Sequence, residues 1–298
     1  MNISTSPLVQ AVTAARRPTS LPVAWLVTIV LGIFVLSPAA QTAAFVLLGD
    51  PDEGSAARQV VDTAGFAATL AVLALWVVFK EERPFASVGF LGRGAGRFFA
   101  GVLGGAVLFA VPTLALVVSG TYAFASADAR TGTAAATALA FTAIVPAWIV
   151  QATTEEAVVR GYLLQWHGLK QPAWAAVLIT SAGFAALHLE ADPLVLSNIF
   201  LVGLFFSFVS LAQGSIWLVA GIHAGWNMTQ GNVFGVPVSG MPVPVSLLPL
   251  SPAPGAHEWL TGGSFGIEGS AATTLVLAAA AALAYRYYRR TETARLTR

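Results

Sequence analysis

Two adjacent glutamates and an arginine lie inside a long apolar stretch, in the motif Glu155-Glu156-x-x-x-Arg160. Glu156 and Arg160 are four residues apart, so they can pair on one face of a helix. Glu155 is displaced by about 100° around the same helix. One carboxylate is therefore expected to be neutralised, while its neighbour stays available as a general base. The alternative is that all three charges form one buried network that holds helices together.

Two histidines lie in other apolar stretches, in the motifs Phe184-x-x-x-His188 and His223-x-x-x-Asn227. A single histidine in a membrane helix often serves helix packing, but two histidines and a carboxylate at similar depth favour catalysis. Glu155, His188 and His223 together match a known catalytic zinc set of two His and one Glu. The same three side chains could also position and deprotonate a water without a metal.

The rest of the chain is unusually apolar. Its 298 residues are 56% hydrophobic and 10% charged, with a mean hydropathy of +0.75, whereas soluble domains carry about 25% charged residues. This composition excludes an ordinary soluble enzyme and a long disordered chain. A net charge of +1 without a basic stripe gives no sign of nucleic-acid binding. Cysteine is absent, which removes disulfides, thiolate nucleophiles and Cys-ligated zinc.

Eight segments approach the length of about 20 apolar residues that a membrane-spanning helix needs. Pro38 predicts a bent or shortened first segment, and Pro146 predicts a break in the fourth. All Lys and Arg residues except Arg58, Arg130 and Arg160 fall on the side of the N-terminus, which predicts cytoplasmic N- and C-termini. The predicted fold is an all-α, polytopic membrane helix bundle. Its eight segments are roughly 21–48, 60–79, 98–118, 134–166, 173–189, 194–211, 215–233 and 271–285.

A single membrane domain is expected over residues 21–290, with cytoplasmic tails over 1–20 and 291–298. Arg16 and Arg17 before the first segment also fit a secretory signal, but the seven further segments favour a first membrane helix. The longest loop, about 235–270, is rich in Pro and Gly and predicts a structured cap or a re-entrant element. No internal repeat is visible, which weighs against inverted-repeat transporters.

The depth of the polar motifs follows from the rise of 1.5 Å per helical residue. Measured from the cytoplasmic ends of their segments, Glu155 lies about 20–22 Å deep, His188 about 24 Å and the His223 motif about 12–18 Å. Three helices therefore place these side chains between the middle of the bilayer and its outer half, which predicts one site. The other histidines, His167 and His257, fall outside this depth and are not expected to be catalytic.

The three motifs, in this order on membrane helices, resemble those of the CPBP family of intramembrane proteases. This family includes the type II CAAX prenyl endopeptidases and bacterial bacteriocin-processing or immunity proteins, and its domain is also called the ABI domain. The resemblance covers roughly residues 134–235. It implies an eight-helix intramembrane endopeptidase, often described as a metalloprotease, with a cavity inside the membrane and membrane-associated peptides or proteins as substrates.

The resemblance also implies roles for individual residues. Glu155 would activate the hydrolytic water with the help of His188. His223 and Asn227 would form the opposite wall, where an asparagine amide suits stabilisation of an oxyanion. Zinc is the implied cofactor, and activation of the water without a metal is the alternative.

Glu156 and Arg160 would hold the shape of the cavity or contact the substrate. The expected location is multi-pass in a lipid bilayer, in a bacterial cell membrane, with no nucleic-acid partner. Two other functions are considered: a non-catalytic immunity or scaffold protein, and a proton-coupled transporter that uses the intramembrane residues as a relay. The intact motifs and the missing repeats favour the protease. Prenylated termini, leader peptides and membrane anchors are equally compatible substrates.

Overall fold

The computed structural model describes residues 3–49, 51–52, 55–125, 134–243 and 245–297, with backbone alone for 134–138, so Arg130 lies outside the described residues. Within these ranges each of the eight predicted segments forms a long helix. The helices are α1 (Leu21–Leu48), α2 (Ala56–Lys80), α3 (Ala95–Val118), α4 (Ala134–Glu156, continued by Ala157–Leu163 and Leu164–Lys170), α5 (Ala173–Ala186), α6 (Pro193–Gln213), α7 (Trp217–Met228, continued by Thr229–Val233) and α8 (Ala271–Leu296).

Four of these helices, α1, α2, α3 and α6, are long and apolar enough to cross a membrane, and α5 is apolar but shorter. On α3 the side chains of Leu103, Val107, Val111, Leu114 and Val118 are all at least half exposed. Because they recur every three or four residues, they form one outward apolar stripe. Such a surface is expected to face lipid. The chain is therefore an integral membrane protein, and a full set of eight spans stays a prediction.

Neither proline interrupts its helix. In α1, π-helical turns cover Leu26–Leu36, and an α-helical stretch, Ser37–Leu48, follows with Pro38 in its first turn. A proline is tolerated there because the first N–H groups of an α-helix lack intrahelical acceptors. Pro146 lies inside Ala134–Glu156 without breaking it. The predicted shortening at Pro38 and the predicted break at Pro146 are both wrong.

Helices α3 and α7 cross at direct backbone contact. A Cβ added to Gly101, Gly105, Gly221 or Gly225 would collide with a carbonyl oxygen of the facing helix. Small residues allow this close approach in membrane bundles. Helix α7 also contacts α4, so this crossing fixes the position of the helix that carries His223.

Both chain ends lie on the same side of the bundle, here called the terminal face. Short helical turns, Ile3–Thr5, Pro7–Gln10 and Ala11–Ala14, pack there, as does the turn Phe85–Val88. The Ser6 hydroxyl and the Arg295 guanidinium both donate to the carbonyl oxygen of Leu211, at 2.9 and 3.0 Å. The expected terminal tails are thus part of the folded body, and α8 runs on to Leu296. That the terminal face is cytoplasmic stays a prediction.

The opposite side is covered by the cap, defined as residues 235–270 without residue 244. It contains β2 (Leu250–Pro252), which pairs antiparallel with β1 (Tyr122–Phe124) after α3, and short helices Glu258–Thr261, Gly263–Phe265 and Ile267–Gly269. The side-chain amide of Asn198 in α6 donates to the carbonyl oxygens of Glu268 and Ser270 at 2.8 and 3.0 Å. The predicted structured cap is confirmed.

Candidate active site

Helices α4 and α7 bring Glu156 against His223. Oε1 of Glu156 accepts hydrogen bonds from Nη1 of Arg160 and from Nδ1 of His223, both at 2.9 Å. The side chains of Glu156 and Arg160 are fully buried. Because an ionised carboxylate can only accept, Nδ1 of His223 carries the hydrogen, so Nε2 offers a lone pair whenever the ring is neutral.

Glu155 approaches the same imidazole from its other side. Its Oε2 lies 3.9 Å from Nε2 of His223, while its Oε1 accepts from Nε2 of Gln151 at 2.6 Å. The amide of Asn227 donates in turn to Oε1 of Gln151 at 2.9 Å. The offset of Glu155 around the helix suggested a carboxylate without partners. In the structure, Glu155 has two polar neighbours, Gln151 and His223. Sequence reasoning missed Gln151, although a polar residue four positions before a glutamate in an apolar helix was an available signal.

His188 follows the end of α5. Its Nδ1 donates to the carbonyl oxygen of Phe184 at 2.9 Å, and the ring centroids of the two residues lie 5.0 Å apart, edge to face. This bond leaves Nε2 as the ring nitrogen available for chemistry. The partnership of Glu155 with His188 stays a prediction; the imidazole nitrogen that lies 3.9 Å from Glu155 belongs to His223.

Arg160 lies over two aromatic rings. Its Cζ is 4.1 Å from the ring centroid of Phe184 and 5.2 Å from that of Phe206. Among the described residues, Nε and Nη2 of Arg160 and Oε2 of Glu156 are buried without a hydrogen-bond partner. Buried polar groups are normally paired, so this pair retains unused hydrogen-bonding capacity beside the histidine.

Three adjoining cavities run past these residues. The central cleft, about 900 Å³ with its open mouth, is lined by Glu155, Gln151 and His188. It shares Gln151 with an outer cleft, whose walls include Asp62 of α2. It shares His188 with the inner cavity, about 530 Å³ together with the open space at its mouth, which His223 and Asn227 also line. Residues from each of the three motifs therefore line one or more of these neighbouring cavities, whereas Glu156 and Arg160 line none of them.

The cap contributes two polar residues to this space. Ser239 and Glu268 line the inner cavity together with His188. Oε1 of Glu268 accepts from the backbone N–H of Ser239 at 2.5 Å and from its hydroxyl at 3.1 Å. Burial raises the pKa of Glu268, against the opposing effects of the Ser239 N–H and of His188. Sequence reasoning missed both residues, although Glu268 is one of two carboxylates in a loop otherwise without charge.

The donors do not fit a zinc ion in this arrangement. Zinc–ligand bonds of about 2.0–2.2 Å in tetrahedral geometry require donor atoms roughly 3.3–3.6 Å apart. The 3.9 Å between Oε2 of Glu155 and Nε2 of His223 exceeds this. In the part of the chain that the structure describes, no three His, Cys, Asp or Glu side chains cluster as metal ligands. The zinc set of Glu155, His188 and His223 stays a prediction.

The remaining histidines have other surroundings. His167 is buried at the terminal face, where its Nε2 accepts from Nε1 of Trp25 at 2.8 Å and its Nδ1 contacts Gln171. His257 is exposed in the cap, stacked on Trp259. Neither residue lines the three cavities.

Comparison with known proteins identifies one family. Residues 137–229 match the family model described as type II CAAX prenyl endopeptidase Rce1-like. The matched segment covers less than half of the chain and contains all six residues of the predicted site, so the resemblance to the CPBP family is confirmed. No curated protein and no solved structure gives a significant match.

Proposed function

Since this chain carries an Rce1-like domain of the CPBP family, we propose that it is an intramembrane endopeptidase, of the CAAX-protease type, that hydrolyses peptide bonds of membrane-associated substrates in a bacterial cell membrane. One observation carries the proposal: two carboxylates, Glu155 and Glu156, approach the two nitrogens of His223 beside an open cleft. This arrangement provides a base, an oriented imidazole and space for water in an otherwise apolar bundle.

In the proposed mechanism a water lies in the central cleft between Oε2 of Glu155 and Nε2 of His223. Glu156 holds Nδ1–H of His223, so that the lone pair of Nε2 faces the water. Glu155 removes one proton as the water oxygen attacks the carbonyl carbon of the substrate. Arg160 balances the charge of Glu156, so the acceptor of the His223 hydrogen stays fixed.

Collapse of the tetrahedral intermediate breaks the C–N bond. Glu155 returns the proton that it took from water to the departing nitrogen, which leaves the carboxyl and amine products and a regenerated base. Asn227 supplies an amide N–H to the developing oxyanion, and Gln151 holds both Asn227 and Glu155 in place. His188, with Nε2 available, assists Glu155 from the neighbouring wall of the cleft.

Cleavage of membrane-spanning reporter peptides in lipid vesicles tests this function. Wild-type protein is expected to cleave, whereas E155Q and H223A lose activity because the base or its imidazole partner is gone. Two variants of exposed cap residues, E258Q and H257A, are matched controls that should keep wild-type rates. Equal cleavage by all five proteins would show that the site is elsewhere.

Chelation separates the two forms of water activation. With the donor atoms spaced as they are, activity is expected to survive exhaustive treatment with a chelator, followed by assay in metal-free buffer. Activity that disappears and returns only with added Zn²⁺ would overturn this mechanism and support the zinc set of Glu155, His188 and His223.

A further inference from the structure

The inner cavity combines aromatic walls with one carboxylate. Phe184, Phe205, Phe206 and Trp226 line it, and Glu268 enters it from the cap. None of its lining residues in the described part of the chain is a lysine or an arginine. An apolar and aromatic cavity with a single anionic group is the environment that protein sites offer to organic cations.

The rings of this cavity already hold one cation. The guanidinium of Arg160 lies over Phe184 and Phe206, and it is paired with Glu156. Glu268 has no Lys or Arg partner among the described residues; it accepts hydrogen bonds from Ser239 and from the side chain of Gln230, and His188 is its neighbour of variable charge. Among the described residues, the central cleft and the inner cavity are thus lined or adjoined by three carboxylates, Glu155, Glu156 and Glu268, and one guanidinium, so their field favours positively charged ligands.

The position of Glu268 is set by the backbone of the cap. Gly266 has a φ of 98°, and a Cβ there would collide with the carbonyl oxygen of Pro237. Asn198 binds the carbonyl oxygen of Glu268 itself. These contacts hold the carboxylate over the cavity, although a buried carboxylate without a cation is costly. A buried carboxylate of this kind is typical of a binding site, where a positively charged ligand offsets the cost of burial.

We propose that the inner cavity is a specificity subsite for a basic side chain, Lys or Arg, of the substrate residue next to the cleaved bond, with Glu268 as its anionic anchor. This inference rests on the proposed peptidase function. His223 and Asn227 border both the reacting centre and this cavity, so a side chain bound here belongs to a residue adjoining the scissile bond. Its aliphatic stem packs on Ile199 and Val202, and its charged end reaches Glu268.

A charge-change experiment on both partners tests the subsite. Reporter peptides in lipid vesicles carry Lys, Met or Glu at each position flanking the cleaved bond; Met has a similar stem without the charge. At one position the wild type is expected to prefer Lys over Met by about tenfold to hundredfold in kcat/KM, the range for a desolvated charge pair. E268Q should lose this preference, so that its kcat/KM for the Lys peptide falls to that for the Met peptide.

Further variants keep the test independent of folding. E268D retains the charge and should retain the Lys preference, and E268K should favour the Glu peptide. E258Q, which changes an exposed glutamate of the same cap, should behave as wild type. A wild type without any Lys preference would overturn the subsite, as would an E268Q that slows all peptides equally.

A binding measurement separates failure of the subsite from failure of the peptidase function. Fluorescent Lys and Met peptides are titrated into E155Q and into the double variant E155Q/E268Q, without turnover. Stronger binding of the Lys peptide to E155Q, lost in the double variant, supports the subsite even if no peptide is cleaved. Equal binding of both peptides to E155Q overturns it, even if the wild type is an active peptidase.

Discussion

The protein contains two buried ion pairs with different surroundings. One, Glu81 and Arg83, packs against α4 at the terminal face, and the other, Glu156 and Arg160, lies on α4 near the cavities. At the terminal face, Oε2 of Glu81 accepts from Nε of Arg83 at 2.6 Å. Its Oε1 accepts from the hydroxyls of Thr19 and Tyr162 and from the indole of Trp166, at 2.5, 2.7 and 3.1 Å. Both oxygens of this carboxylate are used, and the group serves to join chain segments.

The second pair, Glu156 and Arg160, is equally buried but less saturated. Three of its polar atoms have no partner among the described residues, against one, Nη2, on Arg83. Its additional partner is a titratable imidazole, His223. Burial is therefore common to both ion pairs. Only the pair of the proposed site combines spare hydrogen-bonding capacity with a neighbouring base and a cavity.

The largest loss of activity is expected when Glu155, the proposed base beside the second ion pair, is replaced. E155Q should lower kcat by about 10²–10⁴-fold, the contribution of a general base, because an amide cannot take the proton of water. Glu155 is partly exposed to the cleft, so the midpoint of thermal unfolding in detergent should stay unchanged. A large loss of stability together with activity would place Glu155 with the structural charges.

The two pairs can be compared directly by removing each carboxylate. E81A and E156A should each lower the free energy of unfolding by about 3–5 kcal/mol, because each leaves a buried guanidinium uncompensated. Chemical unfolding in mixed micelles measures this loss. The folded fraction of E81A should keep the wild-type kcat, whereas that of E156A should be inactive. Equal kcat losses in both variants would remove the distinction between the clusters.

A smaller effect is expected from the amide that links Asn227 to Glu155. Q151A should lower kcat by roughly tenfold to hundredfold, because a hydrogen bond to a charged group contributes about 1.5–3 kcal/mol. Steady-state cleavage of the reporter peptide measures this change. Q213A is the matched control, since Gln213 donates to the hydroxyl of Tyr287 at the terminal face. Unchanged kcat in Q151A would mean that Glu155 is positioned without it.

The smallest effect on stability is expected when His167, at the terminal face, loses its hydrogen bond from Trp25. W25F removes the donor to Nε2 of His167 and should cost about 0.5–1.5 kcal/mol of stability, the usual net value of a neutral hydrogen bond. Cleavage of the reporter peptide should continue at the wild-type rate. A loss of activity without a loss of stability would connect His167 to the catalytic site.

The length of the apolar segments predicted the eight helices, because each long apolar segment must become a helix in lipid. The shortening predicted at Pro38 is absent, since a π-helical stretch precedes the proline and the helix continues. The motifs on α4 and α7 were predictable because spacing along a helix determines which residues share a face. Ser239 and Glu268 were not, since turns of the cap, and no periodic pattern, bring them over the cavity.

The π-helical turns over Ala157–Leu163 connect the two polar clusters of α4, and they contain Arg160 of the first cluster and Tyr162 of the second. Glu156 lies before these turns, and Gln165 and Trp166, which bind the terminal-face network, lie after them. A π turn contains more residues than an α turn, so this stretch sets the rotational phase between the clusters. Deleting one residue within it would rotate one cluster by about 100° relative to the other. The number of residues in this stretch therefore matters more than the identity of most of its side chains. Insertions and deletions there should be far less tolerated than substitutions.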